Sequence, residues 1–355
     1  MSVDYDVIIV GAGPAGSSAA ISCAKVNSKT LLIERSFFGR HKPCGGILPP
    51  ITLYIFDELG INIPSKVFCN PKSLKLFYIP PSGKLNGGAL KCYKLLNINR
   101  DLFDKWLVEE ALNKGVDFQT NSTVISFKQD DDKVEVKLRC RDENIRVTAK
   151  YLLAADGTHS IIRKCFEGAY QKFLIIMQEY WKCEGEFEDC FYTILSKRIT
   201  PTYGYVVPKD NAILIGSGAK DLKQSIQSLE NLKNWLRGEF KFKPQSLIKR
   251  EIGFIPYDKC FIGMGRVILL GDAAGFCNKF SGEGVRFALE SGLIASKAIE
   301  EAENKGIQVS EAYAKKVQPL LEFIEKTKSI INIDTDKWRE EFVLNELKRL
   351  NIWQR

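Results

Sequence analysis

Histidine is nearly absent from this chain of 355 residues: His41 and His159 are the only two. Histidine-rich metal centres are thereby excluded. Ten cysteines are present, but no two stand in a CxxC pair, and their scatter suits neither a zinc site nor an iron–sulfur site. No metal site is expected. The apolar runs are too short to span a bilayer, so membrane contact could only be peripheral. No long basic run accompanies the formal net charge of +8, which leaves nothing to track a nucleic acid backbone. A mildly basic surface suits anionic small molecules or lipid headgroups, and ordinary solubility charge explains it equally well. No signal peptide is visible, so the expectation is a reduced, cytoplasmic protein. There are no internal repeats or low-complexity segments. The 45% hydrophobic and 26% charged content is that of a globular chain long enough for two interlocked lobes.

What the sequence does contain begins at Tyr5. "YDVIIV" is a continuous apolar, β-branched run, as a buried parallel strand requires. "GAGPAG" follows at once and places Gly11, Gly13 and Gly16 in the GxGxxG spacing, with Ala15 in the same turn. A helix of small residues comes next, then a second strand, "KTLLIE", ending in Glu34 beside Arg35. Gly11 permits the tight turn, Gly13 lets the backbone approach a pyrophosphate, and Gly16 allows close helix–strand packing. The helix N-terminus offers unpaired N–H groups and the positive end of a dipole. Glu34 stands where an acidic residue accepts hydrogen bonds from an adenosine ribose. These features indicate a dinucleotide and leave FAD and NAD equally open.

Three later stretches narrow the choice. "GRVILLGDAAGFCNKFSGEGVRFALESG" reads as a strand ending at Leu270, then Gly271 and Asp272, then a loop with Gly282 and Gly284, with a helix from about Gly282. Asp272 is suited to a ribose or ribityl hydroxyl, and the loop opens a second helix N-terminus able to stabilise negative charge. "LLAADGTHSIIRK" ends a strand in Asp156-Gly157. "NINRDLFDKWL" sets Arg100 at the start of a helix.

Together these stretches resemble the FAD-dependent oxidoreductases of the para-hydroxybenzoate hydroxylase fold. The form "GDAAGFCNKFSGEG", with "KPCGG" around Cys44 and Gly45, is closest to the geranylgeranyl reductase branch. "YGYVVPKDNAILIG" resembles that branch's YxWxFP element followed by a glycine; Tyr205 stands where tryptophan is usual and Val207 where phenylalanine is. The resemblance covers most of residues 1–300. It implies FAD as cofactor, Arg100 as a flavin contact and Cys44 as a residue near the flavin face, with proton supply, redox tuning or packing as its role. It also implies a substrate site around Tyr203, Tyr205, Pro208 and Gly216. The implied reaction is reduction of carbon–carbon double bonds in an isoprenoid chain by hydride transfer from reduced flavin. The electron donor is left open between NAD(P)H and a ferredoxin-type partner protein.

The expected fold class is α/β with mixed α+β insertions. A discontinuous Rossmann-like FAD lobe takes residues 1–45, 98–170 and 258–300. A substrate lobe built on an antiparallel sheet takes residues 46–97 and 171–257, and residues 301–355 form a helical tail. The tail places Trp338, Phe342, Leu347, Leu350 and Trp353 roughly on one side. Its polar face mixes both charge signs, which favours docking on the body over lying on a membrane. Two other classes share the fold: a monooxygenase or halogenase acting on an aromatic substrate, and a flavin electron carrier serving a quinone or a protein partner. The WxWxIP element usual in halogenases is absent, and hydroxylases usually lack PCGG, so both features favour the reductase.

Overall fold

The computed structural model describes residues 3–37, 41–141, 143–331 and 335–352. Its strands form two sheets. In the first, five strands run parallel in the order Val267–Leu269, Glu143–Ala154, Tyr5–Val10, Thr30–Ile33, Asp117–Gln119. The strand Tyr5–Val10 sits at the centre, and Val7, Ile8 and Ile9 are fully buried. That is why its sequence is apolar without alternation. Glu143–Ala154 also closes an antiparallel meander with Ser122–Gln129 and Val134–Cys140, whose hairpin turn carries the aspartates at 130–132.

Helix Pro14–Lys25 lies on this sheet, with proline at its first position and buried small residues along its length. The small residues let a second helix, Val285–Lys305, come very close. A Cβ at Gly292 would stand 2.4 Å from the Ala15 carbonyl oxygen, and Ser18 Oγ donates to Leu289 O at 2.6 Å. These contacts lock the two helices that carry the two glycine loops.

The second sheet is antiparallel except for one parallel pair, Phe68–Ile79 with Cys190–Ile194. Its order is Lys243–Pro256, Phe173–Glu184, Ala212–Ala219, Gly204–Lys209, Cys190–Ile194, Phe68–Ile79, Gly88–Ile98, Ile47–Leu48. Gly88–Ile98 and Lys243–Pro256 are strands that hydropathy does not flag, because lysines interrupt both and much of the second is exposed. One face of the sheet is covered by helix Leu222–Glu239 through Leu229, Leu232 and Leu236. The other face carries a separate apolar cluster that includes Leu74, Leu95, Tyr205, Val207 and Leu214.

The tail forms two helices, Val309–Ile331 and Asp336–Ile352. The first packs on Val285–Lys305, and Tyr313 donates to Leu269 O at 3.2 Å. The second docks on the second sheet. Phe342 meets Tyr78, Phe280 and Trp338 at centroid distances of 5.9, 5.2 and 5.2 Å, and Leu347 covers Gly88. Each such ring pair contributes about 0.5–1.5 kcal/mol beyond area burial. Trp353 lies outside the described residues, as does the side chain of Leu350. Among the described residues, no helix is long and apolar enough to cross a membrane.

Candidate functional site

One cavity of about 1350 Å³ runs from the ends of the parallel strands across the apolar face of the second sheet. Its first end is the glycine loop. Gly11 leaves the central strand at φ +101°, and a Cβ there would stand 2.3 Å from the Ala155 carbonyl oxygen. A Cβ on Gly16 would stand 1.8 Å from the Gly11 carbonyl oxygen. Both crossings therefore require glycine. Gly13 is the extended N-cap of the helix and has no side-chain cap, so the helix start stays open. Gly11, Gly13 and Ala15 line the cavity, while Gly16 lies behind the loop.

Glu34 and Arg35 line the same end. Glu34 is buried and already accepts from the Ala12 N–H (2.9 Å) and the Ser36 N–H (3.1 Å). It thereby braces the loop it adjoins. Asp156 and Gly157 complete this end. Asp156 Oδ2 accepts from the backbone of Ile161 and Ile162, but the buried Oδ1 has no partner in the protein. Burial raises the Asp156 carboxyl above its ordinary range, against the hydrogen bonds from Ser160, Ile161 and Ile162. An orphaned buried oxygen facing a cavity is a ready acceptor for a ligand hydroxyl.

The middle of the cavity is built on Asp272. Thr158 Oγ1 donates to it at 3.1 Å and Lys42 Nζ stands 2.6 Å away. Burial pushes this carboxyl up, but the Lys42 charge and these hydrogen bonds hold it below the usual range. Gly271 does not line the cavity; it starts the turn at φ +52° against Ala15 and Ala288. Gly282 and Gly284 do line it. The helix they precede begins at Val285 rather than at Gly282, so the whole "SGEG" stretch is free to face the cavity.

Residues 41–46 line the cavity and are pinned to the second sheet, to helix Arg100–Asn113 and to the turn at Asp272. His41 Nδ1 lies 2.7 Å from Asp101 Oδ1, and its Nε2 lies 2.5 Å from Glu251 Oε1 on the second sheet. Lys42 reaches Asp272, and Pro43 packs on Gly253. Cys44 and Gly45 line the cavity, and the Cys44 thiol interacts with the Arg100 guanidinium. Arg100 is buried and paired with Asp104 at 2.9 Å; burial opposes its charge, and Asp104 and Cys44 favour it. The Asn99 side chain caps this helix by accepting from the N–H groups of Asp101 and Leu102. Sequence reasoning missed Lys209. It is buried beneath the same turn and donates to Ile98 O at 2.9 Å, and burial holds its ammonium below the ordinary value. Gly46, at φ +64°, must be glycine, because a Cβ would stand 2.3 Å from Ile98 O.

The far end is an apolar chamber with Leu76, Leu95, Ile176, Phe191 and Leu195 in its walls. Tyr203 and Tyr205 line it, and Trp338 and Arg339 of the tail border it. Pro208 and Gly216, expected at the substrate site, do not line the cavity. Pro208 sits farther along its strand, where its carbonyl accepts from Asn97 Nδ2 at 2.9 Å. Gly216 lies under the Tyr205 ring, and a Cβ there would stand 2.1 Å from Tyr205 Cζ.

Residues 4–181 match the family described as FAD binding domain. The chain belongs to the FAD-dependent oxidoreductases. It is 30% identical over 299 residues to Protein CbrA of Escherichia coli O157:H7, covering 82% of each chain. Its fold is that of a geranylgeranyl bacteriochlorophyll reductase-like protein from Thermoplasma acidophilum (TM-score 0.85, 24% identity, 97% of this chain and 91% of the other). It is also that of CmlS, a flavin-dependent halogenase (TM-score 0.74, 20% identity, 100% of this chain and 71% of the other). The cavity suits FAD on its own chemistry. It offers an open helix start behind glycines, an orphaned carboxylate oxygen at Asp156 and a second carboxylate at Asp272, all in its lining.

Proposed function

We propose that this FAD-dependent oxidoreductase reduces carbon–carbon double bonds in an isoprenoid chain. The observation that carries the reading is the cavity. At about 1350 Å³ it exceeds the roughly 300–1,000 Å³ of a single small-molecule site. It continues past the cofactor-facing residues into an apolar chamber, which an apolar chain would fill.

In this reading Gly11, Gly13 and Ala15 hold the pyrophosphate of FAD, Glu34, Arg35 and Asp156 its adenosine end, and Asp272 its ribityl chain. Gly282 and Gly284 present the helix start to the flavin ring. Bound and reduced, FAD would supply a hydride to one alkene carbon, and a proton passed in through the protein would complete the other. The protein's own residues do the rest. The apolar walls at Leu76, Leu95, Ile176 and Phe191 align the chain and keep water out. The tail helix borders one side through Trp338 and Arg339. Lys209 places a buried ammonium near Cys44, while the charge of Arg100 is met by Asp104. The donor that recharges the flavin is NAD(P)H or a ferredoxin-type protein.

The test is anaerobic and spectroscopic. The flavin of the purified protein is bleached with dithionite, and geranylgeraniol or a geranylgeranyl phospholipid is added. Recovery of the oxidised flavin spectrum without oxygen supports the reading. A spectrum that stays bleached until air is admitted, with oxygenated or halogenated aromatic products appearing then, moves the protein to the monooxygenase or halogenase class. A spectrum that is reoxidised only by a quinone or redox protein makes it an electron carrier.

A further inference from the structure

Tyr205, Gln178 and Glu251 form a chain of hydrogen bonds from the chamber wall to the edge of the second sheet. Glu251 is buried and paired with Lys249 and with His41 Nε2 (2.5 Å). Burial pushes its carboxyl up, but Lys249, Gln178 and His41 together hold it below its ordinary range. It is therefore ionised and can only accept. Gln178 Nε2 donates to Glu251 Oε2 at 2.5 Å. An amide has one donor end and one acceptor end, so Gln178 Oε1 must face Tyr205, at 2.7 Å.

That fixes the direction of the phenol. Burial keeps Tyr205 neutral by raising it well above its ordinary value, and a neutral phenol has one proton. The proton goes to Gln178, and the oxygen has only lone pairs left for a ligand. Gly216 makes the arrangement possible. It pairs with Tyr205 on one side and Gln178 on the other, and its missing side chain lets the ring cross between the strands. The neighbouring hydroxyls point the same way: Tyr203 donates to Ser281 O, and Thr202 donates to Gly218 O at 2.6 Å. On this wall of the chamber, three hydroxyls all direct their protons into the protein.

We infer that Tyr205 is a specificity-determining residue that accepts a hydrogen bond from a hydroxyl of the substrate. The chamber thus favours an apolar molecule with a free alcohol or phenol over its ether. The inference rests on the reading of this chamber as the substrate site. An ether brings a second set of lone pairs to an acceptor that has no proton to offer, and the mismatch is costly because both groups are buried.

The experiment measures binding to the oxidised FAD-bound protein by perturbation of the flavin spectrum, so no turnover is needed. Two ligand pairs are used: geranylgeraniol with its methyl ether, and a 4-alkylphenol with its methyl ether. The expected result is about tenfold tighter binding of the hydroxyl member. Y205F brings that ratio close to one. E251Q lets Gln178 turn its amide and Tyr205 donate outward, so it narrows the ratio without weakening the ether. A ratio near one in the unaltered protein overturns the inference, as does a ratio unchanged in Y205F or binding of neither pair. The two readings fail separately. If only the phenol pair binds and shows the preference, the isoprenoid proposal falls and the role of Tyr205 stands. If the isoprenoid pair binds without preference, the reverse holds.

Discussion

Lys42 Nζ stands 2.6 Å from Asp272 Oδ2, tying the segment that carries Cys44 to the turn after the strand Val267–Leu269. The pair's pH dependence follows from the direction of the shift. The Asp272 carboxyl is held below its ordinary value in the folded protein, so its contribution is present above the unfolded pKa. It is lost as pH falls through the lowered folded value. Lys42→Met should cost about 1–2 kcal/mol near neutrality. The difference from the unaltered protein should close below about pH 4. Urea unfolding at several pH values reads this directly; a gap that persists unchanged in acid would contradict it.

Gly16→Ala should give a protein that purifies without its yellow colour. The added Cβ would stand 1.8 Å from a backbone oxygen, so the glycine loop must move off its course. Gly13→Val should have the same outcome, by holding the backbone away from the pyrophosphate. Visible absorbance against protein concentration is the readout, and stoichiometric FAD in either variant would refute the placement of this loop.

Arg100 and Asp104 are both buried, and two hydrogen bonds join them. Arg100→Met should destabilise the protein by about 3–5 kcal/mol, because the buried Asp104 carboxylate loses two charge-assisted hydrogen bonds. The double variant with Asp104→Leu should recover part of that loss. Thermal or denaturant unfolding of the three proteins measures it, and a double variant less stable than Arg100→Met would count against the pairing.

Phe342→Ala removes ring contacts with Tyr78, Phe280 and Trp338 at once. The loss should be about 2 kcal/mol, concentrated in the docking of helix Asp336–Ile352. Hydrogen exchange should accelerate in that helix and leave Tyr5–Val10 unchanged. Equal acceleration in both would mean that the tail is part of the global core.

The parts of the site that were legible in the sequence are those built from local spacing. The turn from Tyr5–Val10 into its helix needs glycine at fixed intervals, and Asp156 and Asp272 stand two and three residues past their strands. The parts that were not legible arise where distant strands meet. Nothing local marks Gln178 or Glu251, which meet Tyr205 only through the order of strands in the second sheet. Gly216 reads as a substrate residue, yet its contribution is the space it leaves for the Tyr205 ring. Lys209 reads as a surface lysine at a strand end until Gly46 and Ile98 are placed over it. The expected helix start at Gly282 fell three residues early, because glycines there form the approach to the helix rather than its first turn.

The most direct test of the central claim is the mass of the lipid. Protein reduced anaerobically with dithionite is mixed with geranylgeraniol or a geranylgeranyl phospholipid, and the recovered lipid is weighed by mass spectrometry. The account predicts a gain of one hydrogen pair for each double bond reduced, abolished in a protein stripped of FAD. A lipid of unchanged mass beside fully reduced flavin would contradict it.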